Sequence, residues 1–147
     1  MLKLASPIRS AVLPRIDNIP KALTENESLW ALGRSITFLS SGSTFKVQDR
    51  STHWRKTEMP AVATARCSAR YPSANLEKAI CTGRDAPHLA PCTGDTGSPL
   101  VRGRGADQPP ELLGLMAFGT GCGTPGDYSV SVAVPPYLAW IRETIKR

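Results

Sequence analysis

The sequence is poor in aromatic residues and contains no long apolar run. Among its 147 residues are only three tryptophans, three tyrosines and three phenylalanines, so Val, Ile, Leu and Ala must pack most of any core. No run approaches the roughly 18 apolar residues that a membrane-spanning helix needs, and residues 1–8 lack the continuous apolar stretch of a secretory signal. We therefore expect a globular chain with no membrane partner and, as written, no targeting segment.

The cysteines and histidines also lack the spacing of a metal site. There is no Cys-x-x-Cys pair, and the two histidines, His53 and His88, lie far from any metal-ligand spacing. We expect no metal and no cofactor. An even number of cysteines in a loop-rich chain indicates two disulfides and hence an oxidising compartment, although the sequence alone allows three pairings of Cys67, Cys81, Cys92 and Cys122. With no signal segment, we expect that the front of the protein is missing.

The chain is basic, with 18 Lys and Arg against 12 Asp and Glu and a net charge of +6. Such a balance can indicate nucleic acid, an anionic surface or only solubility. The charges are dispersed apart from a cluster within residues 46–56, which we interpret as a solvated loop or edge strand. Arg102-Gly103-Arg104-Gly105 lies between two strand-like runs and is interpreted as a hairpin tip. We expect no nucleic-acid partner, and binding to acidic surfaces has only the charge in its favour.

Short apolar runs separated by Gly and Pro predict strands rather than long helices. These runs lie at residues 29–37, 44–48, 59–65, 99–102, 111–118 and 128–134. A short helix is expected within residues 71–79, and residues 81–98 form a loop. After two prolines, apolar residues at positions 137, 140, 141 and 145 predict a terminal helix with one apolar face. The pattern is typical of a small all-β barrel with a helical tail.

Cys92-Thr93-Gly94-Asp95-Thr96-Gly97-Ser98-Pro99-Leu100 resembles the nucleophile loop of the chymotrypsin and trypsin family of serine proteases, Cys-x-Gly-Asp-Ser-Gly-Gly-Pro-Leu. Residues 113–122 are similar to that family's Gly-Ile-Val-Ser-Trp-Gly-x-Gly-Cys strand, and residues 125–141 resemble its closing strand and helix. Residues 2–8 look like the strand after the family's catalytic aspartate. The resemblance covers nearly the whole chain, loosely before residue 59 and specifically after residue 67.

The resemblance implies an all-β fold: an antiparallel six-stranded Greek-key barrel, the C-terminal half of the two-barrel trypsin-like fold, with a C-terminal α-helix. Residues 1–27 would be a remnant strand and the crossover between barrels, residues 28–134 the barrel, and residues 135–147 the helix packed on it. The resemblance also implies disulfides Cys67–Cys81 and Cys92–Cys122 and an extracellular location. There, Asn26-Glu27-Ser28 would be a glycosylation sequon.

The resemblance places Thr96 at the nucleophile position, where the family has serine. A serine hydroxyl needs a histidine base and an oriented carboxylate, and both belong upstream of this chain, since His53 and His88 match the family base neither in position nor in neighbours. The backbone N–H groups of Gly94 and Thr96 match the oxyanion-hole donors. Asp95 matches the carboxylate that pairs with a newly cleaved N-terminal amine. We expect that partner to be missing and the loop around Asp95 to be mobile.

Ala90 corresponds to the floor of the family's primary specificity pocket, Gly119 and Gly126 to its walls, and Phe118 to a neighbouring substrate-binding position. An uncharged floor with small walls implies a preference for bulky apolar side chains. We expect a catalytically inactive relative of the serine endopeptidases that takes a peptide or protein ligand. The alternatives are half of an active endopeptidase completed by an N-terminal barrel, and a non-catalytic protein-binding module.

Overall fold

The computed structural model describes residues 16, 23–34, 53–103, 108–120 and 122–146. The predicted strand at 44–48 and the remnant strand near the start of the chain lie outside these residues. The strands are β1 (Ser28–Gly33), β2 (Arg55–Val62), β3 (Ala79–Thr82), β4 (Pro99–Arg102), β5 (Glu111–Phe118) and β6 (Ser129–Ala133). The helices are α1 (Thr64–Arg70) and α2 (Leu138–Ile145), the latter preceded by a 3-10 turn at Pro135–Tyr137. Neither helix of the described ranges is long and apolar enough to cross a membrane.

The six strands close into one barrel in the order β1-β2-β3-β6-β5-β4. Every pairing around it is antiparallel. Because β3 pairs with β6 and β1 with β4, the chain crosses over twice instead of pairing only neighbours in sequence, as a Greek key requires. The predicted all-β barrel with a C-terminal helix is confirmed.

Alternating side chains form the barrel core. In β2, Thr57, Met59 and Ala61 are buried while Arg55 and Glu58 are exposed, the period-two pattern of a strand with one face inward. Burial of a Leu or Met side chain contributes roughly 1.5–3 kcal/mol relative to exposure. The core consists mainly of small and aliphatic residues, as the low aromatic content predicted: Leu29, Ala31, Met59, Ala61, Ile80, Ala90, Leu100, Leu113 and Ala133.

Both disulfides implied by the resemblance are confirmed. Cys67–Cys81 joins α1 to β3, with 6.3 Å between the Cα atoms, and packs in a second cluster with Tyr71, Leu76, Tyr128 and Val130. Cys92–Cys122 joins the loop before β4 to the segment after β5, with 4.9 Å between the Cα atoms. Each closed loop restricts the unfolded chain, which in the chain-entropy account stabilises by about 3–4 kcal/mol per bridge.

The helix expected within residues 71–79 lies earlier, at Thr64–Arg70, so that expectation is wrong. Tyr71 ends α1 with a non-helical backbone (φ −126°, ψ 67°) while its N–H still donates to the carbonyl of Cys67. Pro72 follows it, and a proline disfavours helical geometry in the residue before it. Pro72 therefore ends α1 before the segment in which the sequence predicted a helix.

The two basic segments lie on strands. Arg55 and Lys56 are exposed, as a solvated cluster predicts, and they begin β2, where they pair with β1 alone; Lys46 and Arg50 lie outside the described residues. β4 and β5 form the antiparallel hairpin that the Arg-Gly segment predicted, but Arg102 is buried in its last pair, opposite Glu111, rather than at the tip. It forms ion pairs with Glu27 at 2.6 Å and with Glu111 at 3.2 Å, and these partners account for a buried arginine.

The terminal helix forms where the spacing predicted it. Its side chains at Leu138 and Ile141 are half-buried, whereas Trp140 and Ile145 are 58% and 62% exposed. The described residues therefore cover only part of the face that the apolar pattern predicts to pack inward.

Candidate functional site

The nucleophile-like loop is held by its own backbone and by β5. The N–H of Asp95 donates to the carbonyl of Cys92 at 3.0 Å, and the N–H of Ser98 to the carbonyl of Asp95 at 2.9 Å. These two turns need left-handed backbone at Gly94 (φ 97°) and Gly97 (φ 86°), which glycine adopts without steric cost. The sequence Gly-Asp-Thr-Gly thus places its glycines where the loop reverses.

Two hydrogen bonds join this loop to the middle of β5. The N–H of Gly97 donates to the carbonyl of Met116, and the N–H of Met116 donates to the carbonyl of Ser98, both at 2.8 Å. Phe118 and Gly119 follow two and three residues after Met116 on the same chain segment. The loop is therefore fixed beside the residues to which the resemblance assigns substrate binding.

The carboxylate of Asp95 is buried and bonded to backbone groups, with 1% of the residue exposed. It accepts hydrogen bonds from the N–H of Arg34 at 2.8 Å and from the N–H of Cys92 at 3.2 Å. Hydrogen bonds to a charged acceptor are the strong kind, and they offset the cost of burying the carboxylate. The expectation that Asp95 would lack a partner is therefore wrong. The prediction that the loop is mobile rested on that missing partner, and the mobility itself stays a prediction.

Gly33 makes room for that carboxylate. A Cβ atom at Gly33 would lie 2.6 Å from the Asp95 Cγ and 2.7 Å from each of its oxygens, closer than any side chain tolerates. The end of β1 thus supplies both the space for Asp95 and, through the next residue Arg34, a donor to it.

Thr96 is exposed beside buried Asp95. Within the described ranges, neither histidine is hydrogen-bonded to its hydroxyl. His53 is exposed just before β2, and His88 is buried with its Nδ1 against the carbonyl of Ala86 at 2.9 Å and its Nε2 unbonded. A hydroxyl without a base is a poor nucleophile.

The N–H groups of Gly94 and Thr96 donate to no acceptor in the part of the chain that the structure describes. They lie on either side of the Asp95 N–H, which is taken by Cys92. Free donors of this kind can stabilise a developing oxyanion, and their assignment to an oxyanion hole stays a prediction.

The residues predicted to form the specificity pocket have different surroundings. Ala90 is 3% exposed and belongs to the barrel core. A Cβ atom on Gly119 would make ordinary contacts near 3.5 Å with Tyr128 and Ser129, whereas one on Gly126 (φ 72°) would meet nothing within 4 Å. Phe118 is 39% exposed and meets the Tyr71 ring edge-on at 5.3 Å. The assignment of these residues to a specificity pocket stays a prediction.

Asp127, next to Gly126, is the centre of a network that the sequence did not reveal. Its Oδ1 accepts hydrogen bonds from Thr120 Oγ1 at 2.9 Å and from Arg70 Nε at 2.8 Å, and its Oδ2 accepts one from Thr124 Oγ1 at 2.6 Å. Burial raises the pKa of Asp127, but the hydrogen bonds from Thr124, Thr120 and Arg70 outweigh it and hold the pKa below its ordinary value of 3.8.

A second polar network begins one turn earlier on α1. Arg66 pairs with Glu25 at 3.4 Å and with Asp85, and it donates to the Tyr128 hydroxyl at 3.0 Å. That hydroxyl donates to Asp85 at 2.9 Å. Hydrogen bonds from Tyr128 and Arg66 lower the pKa of Asp85. The described residues contain no group of three or more His, Cys, Asp or Glu that could hold a metal ion.

Comparisons with known proteins agree with the fold. The Trypsin family model matches residues 1–141. The chain is 30% identical to the inactive CLIP domain-containing serine protease A3 of Aedes aegypti, over 99% of this chain and 31% of that protein. It is 35% identical to a trypsin of Pleuronectes platessa, over 60% of this chain and 33% of that protein.

Granzyme M of Homo sapiens is 29% identical over 87% of this chain and 49% of its own length. The chain thus spans from about a third to a half of the length of these three curated relatives. The closed barrel, the two disulfides and the matched family model lead to one identification: the chain belongs to the trypsin family of serine proteases.

Proposed function

We propose that this chain is the C-terminal barrel of an extracellular trypsin-like endopeptidase homologue that does not hydrolyse peptides by itself and binds a peptide or protein at the cleft beside Thr96. The observation that carries the proposal is Thr96 at the nucleophile position with no histidine bonded to it among the described residues. The family's acyl transfer needs a hydroxyl activated by a histidine–carboxylate pair.

The threonine itself weighs against hydrolysis. Its extra methyl group restricts χ1 and occupies space on the side from which the family's histidine approaches. Threonine nucleophiles in other proteins use an amino-terminal base, and Thr96 is internal. The name of the Aedes aegypti relative also contains the word inactive, which supports the same reading for this chain.

The ligand that we propose carries a bulky apolar side chain. Ala90 offers no counter-ion to a basic side chain, and Gly126 leaves open space where a larger residue would intrude. Apolar pockets with few polar groups favour apolar ligands. Two disulfides support the extracellular location, because such bridges persist in oxidising compartments.

The test is proteolysis by the purified, oxidised chain against fluorogenic peptides with Phe, Leu or Arg before the scissile bond, compared with its Thr96→Ala and Thr96→Ser variants. We expect all three proteins to release fluorophore at the same background rate, and the Phe and Leu peptides to bind more tightly than the Arg peptide. Turnover by the wild-type chain above the Thr96→Ala rate would contradict the proposal.

Half of an active endopeptidase is the second candidate. It is favoured by the loop geometry: Asp95 is already bonded to the N–H groups of Arg34 and Cys92, and no described residue accepts a hydrogen bond from the N–H groups of Gly94 and Thr96. The two candidates are distinguished by adding the N-terminal barrel of a family protease, which carries the catalytic histidine and aspartate, to this chain. Turnover that needs both parts and is lost with Thr96→Ala would support this candidate; no turnover would favour the binding function.

A further inference from the structure

We propose that Asn26 carries an N-linked glycan whose first sugar lies in a polar groove beside it. The proposal rests on the extracellular location proposed above and on no catalytic property of the chain. Asn26-Glu27-Ser28 is the only Asn-x-Ser/Thr sequence among the 147 residues, and its middle residue is not proline, as the acceptor sequence requires.

The turn before β1 presents the Asn26 side chain to solvent. Asn26 is exposed and has a left-handed backbone (φ 64°), which asparagine tolerates better than most residues. Its N–H donates to the carbonyl of Ala61 at 2.9 Å, and the next N–H, of Glu27, donates to the carbonyl of Thr24 at 3.1 Å. The backbone is thus fixed while the carboxamide makes no hydrogen bond to any described residue. This is the arrangement that a surface glycan needs.

A groove of about 450 Å³ begins at Asn26 and runs between β2 and the segment after β3. Carboxylate and guanidinium groups alternate along it: Glu58 pairs with Arg84 at 3.6 Å, and Arg66 pairs with Asp85. All of these side chains are at least 44% exposed. Sugar hydroxyl and acetamido groups are donors and acceptors of the kind that such a surface binds, and Pro60 in the same wall offers an apolar face.

The fold also indicates when the glycan is attached. The Ser28 hydroxyl, which belongs to the acceptor sequence, donates to Glu58 in the folded chain, and Ser28 pairs with Pro60 across β1 and β2. Folding therefore fixes the acceptor serine in a strand pair. We expect attachment during synthesis, before β1 and β2 pair, to be favoured over attachment to the folded chain.

The donor of the glycan in this transfer is a polyprenyl diphosphate-linked oligosaccharide. The Asn26 carboxamide nitrogen forms a bond to C1 of the first sugar as the bond between C1 and the diphosphate oxygen breaks. The nitrogen loses one proton, and the diphosphate leaves with the electron pair.

The first experiment expresses the full chain behind a secretory signal in eukaryotic cells and measures its intact mass in cells and medium, before and after treatment with peptide N-glycosidase. We expect the mass of one glycan, and conversion of Asn26 to aspartate on release. Ser28→Ala and Asn26→Asp should abolish the glycan, and Ser28→Thr should retain it. A wild-type chain without glycan in both fractions would overturn the proposal.

The groove is tested on chains trimmed to a single N-acetylglucosamine. We expect the trimmed chain to have a higher Tm than the enzymatically deglycosylated chain, and the difference to shrink in Arg84→Ala. An equal difference in that variant would overturn placement of the sugar in the groove. Neither readout depends on hydrolysis. A glycosylated chain that cleaves peptides would overturn only the proposed function. A secreted chain without a glycan would overturn only this inference.

Discussion

The carboxylate of Asp127 accepts a hydrogen bond from the hydroxyl of Thr120 at 2.9 Å. Thr120 follows Gly119, while Thr124, which bonds the other carboxylate oxygen, precedes Gly126. Arg70 at the end of α1 bonds the same carboxylate. One side chain therefore joins the two segments predicted to wall the specificity pocket, and it fixes both to the helix that carries Cys67.

Removal of this carboxylate should destabilise the barrel. We expect Asp127→Ala to lower the free energy of unfolding by about 1–3 kcal/mol, since three side chains lose a charged acceptor. The exposed Glu77 is the control, because Glu77→Ala should change stability by less than about 0.5 kcal/mol. Urea unfolding with both disulfides intact measures each value, and equal stabilities for the two variants would contradict the role of Asp127.

The same carboxylate makes stability depend on acid pH. Because the folded-state pKa of Asp127 lies below the ordinary 3.8, its contribution is present above about pH 4 and is lost as the pH falls through the folded-state pKa. We expect the stability difference between the wild type and D127N to be constant from pH 7 to 5 and to narrow below pH 4. Urea unfolding of both proteins across this pH range measures the stability difference. An undiminished difference at pH 2.5 would contradict the stabilising role of the ionised Asp127.

Gly33→Ala tests the space around Asp95, and Gly103→Ala is its control. A Cβ atom at Gly33 would overlap the Asp95 carboxylate, whereas one at Gly103 would lie 3.7 Å from the Trp30 ring, an ordinary contact. We expect Gly33→Ala to cost roughly 1–3 kcal/mol, as overpacking does, and Gly103→Ala to be nearly neutral. Thermal and urea unfolding measure the stability of both variants. A neutral Gly33→Ala would show that the Asp95 carboxylate can move away from this position without cost.

Two arginines test how much burial matters to an ion pair. Arg102 pairs with Glu111, whose side chain is only 1% exposed, while the side chains of Arg66 and Asp85 are 45% and 65% exposed. We expect Arg102→Leu to cost about 3–5 kcal/mol, because it removes a charged partner from a buried carboxylate. Arg66→Leu should cost no more than about 1 kcal/mol. Similar losses in the two variants would contradict this ranking.

The sequence predicted the second half of the fold better than the first, for a physical reason. β4, β5 and β6 consist of apolar runs bounded by Gly and Pro, so their patterns show directly. The start of β2 was missed because Arg55, Lys56 and Glu58 are polar and the buried partner is Thr57. α1 was missed because only Cys67 among its residues is buried, and a disulfide rather than an apolar stripe anchors it.

The candidate site, like the fold, was predicted from the sequence only in part. The nucleophile-like loop is contiguous, so its resemblance to the family located Gly94, Asp95 and Thr96. The partners of Asp95 are backbone N–H groups, and one of them belongs to Arg34, 61 positions earlier in the chain. Backbone donors leave no signature in a sequence, and the pair Arg70 and Asp127 comes together only when the barrel closes.

Labelling with a broad serine-hydrolase fluorophosphonate, read by intact mass on the purified, oxidised chain, tests the central claim most directly. The account predicts no adduct on the wild type, as on Thr96→Ala, while an active trypsin-family protease labels stoichiometrically under the same conditions. A stoichiometric adduct that maps to Thr96 would show an activated hydroxyl and contradict the claim that this barrel has no hydrolytic activity of its own.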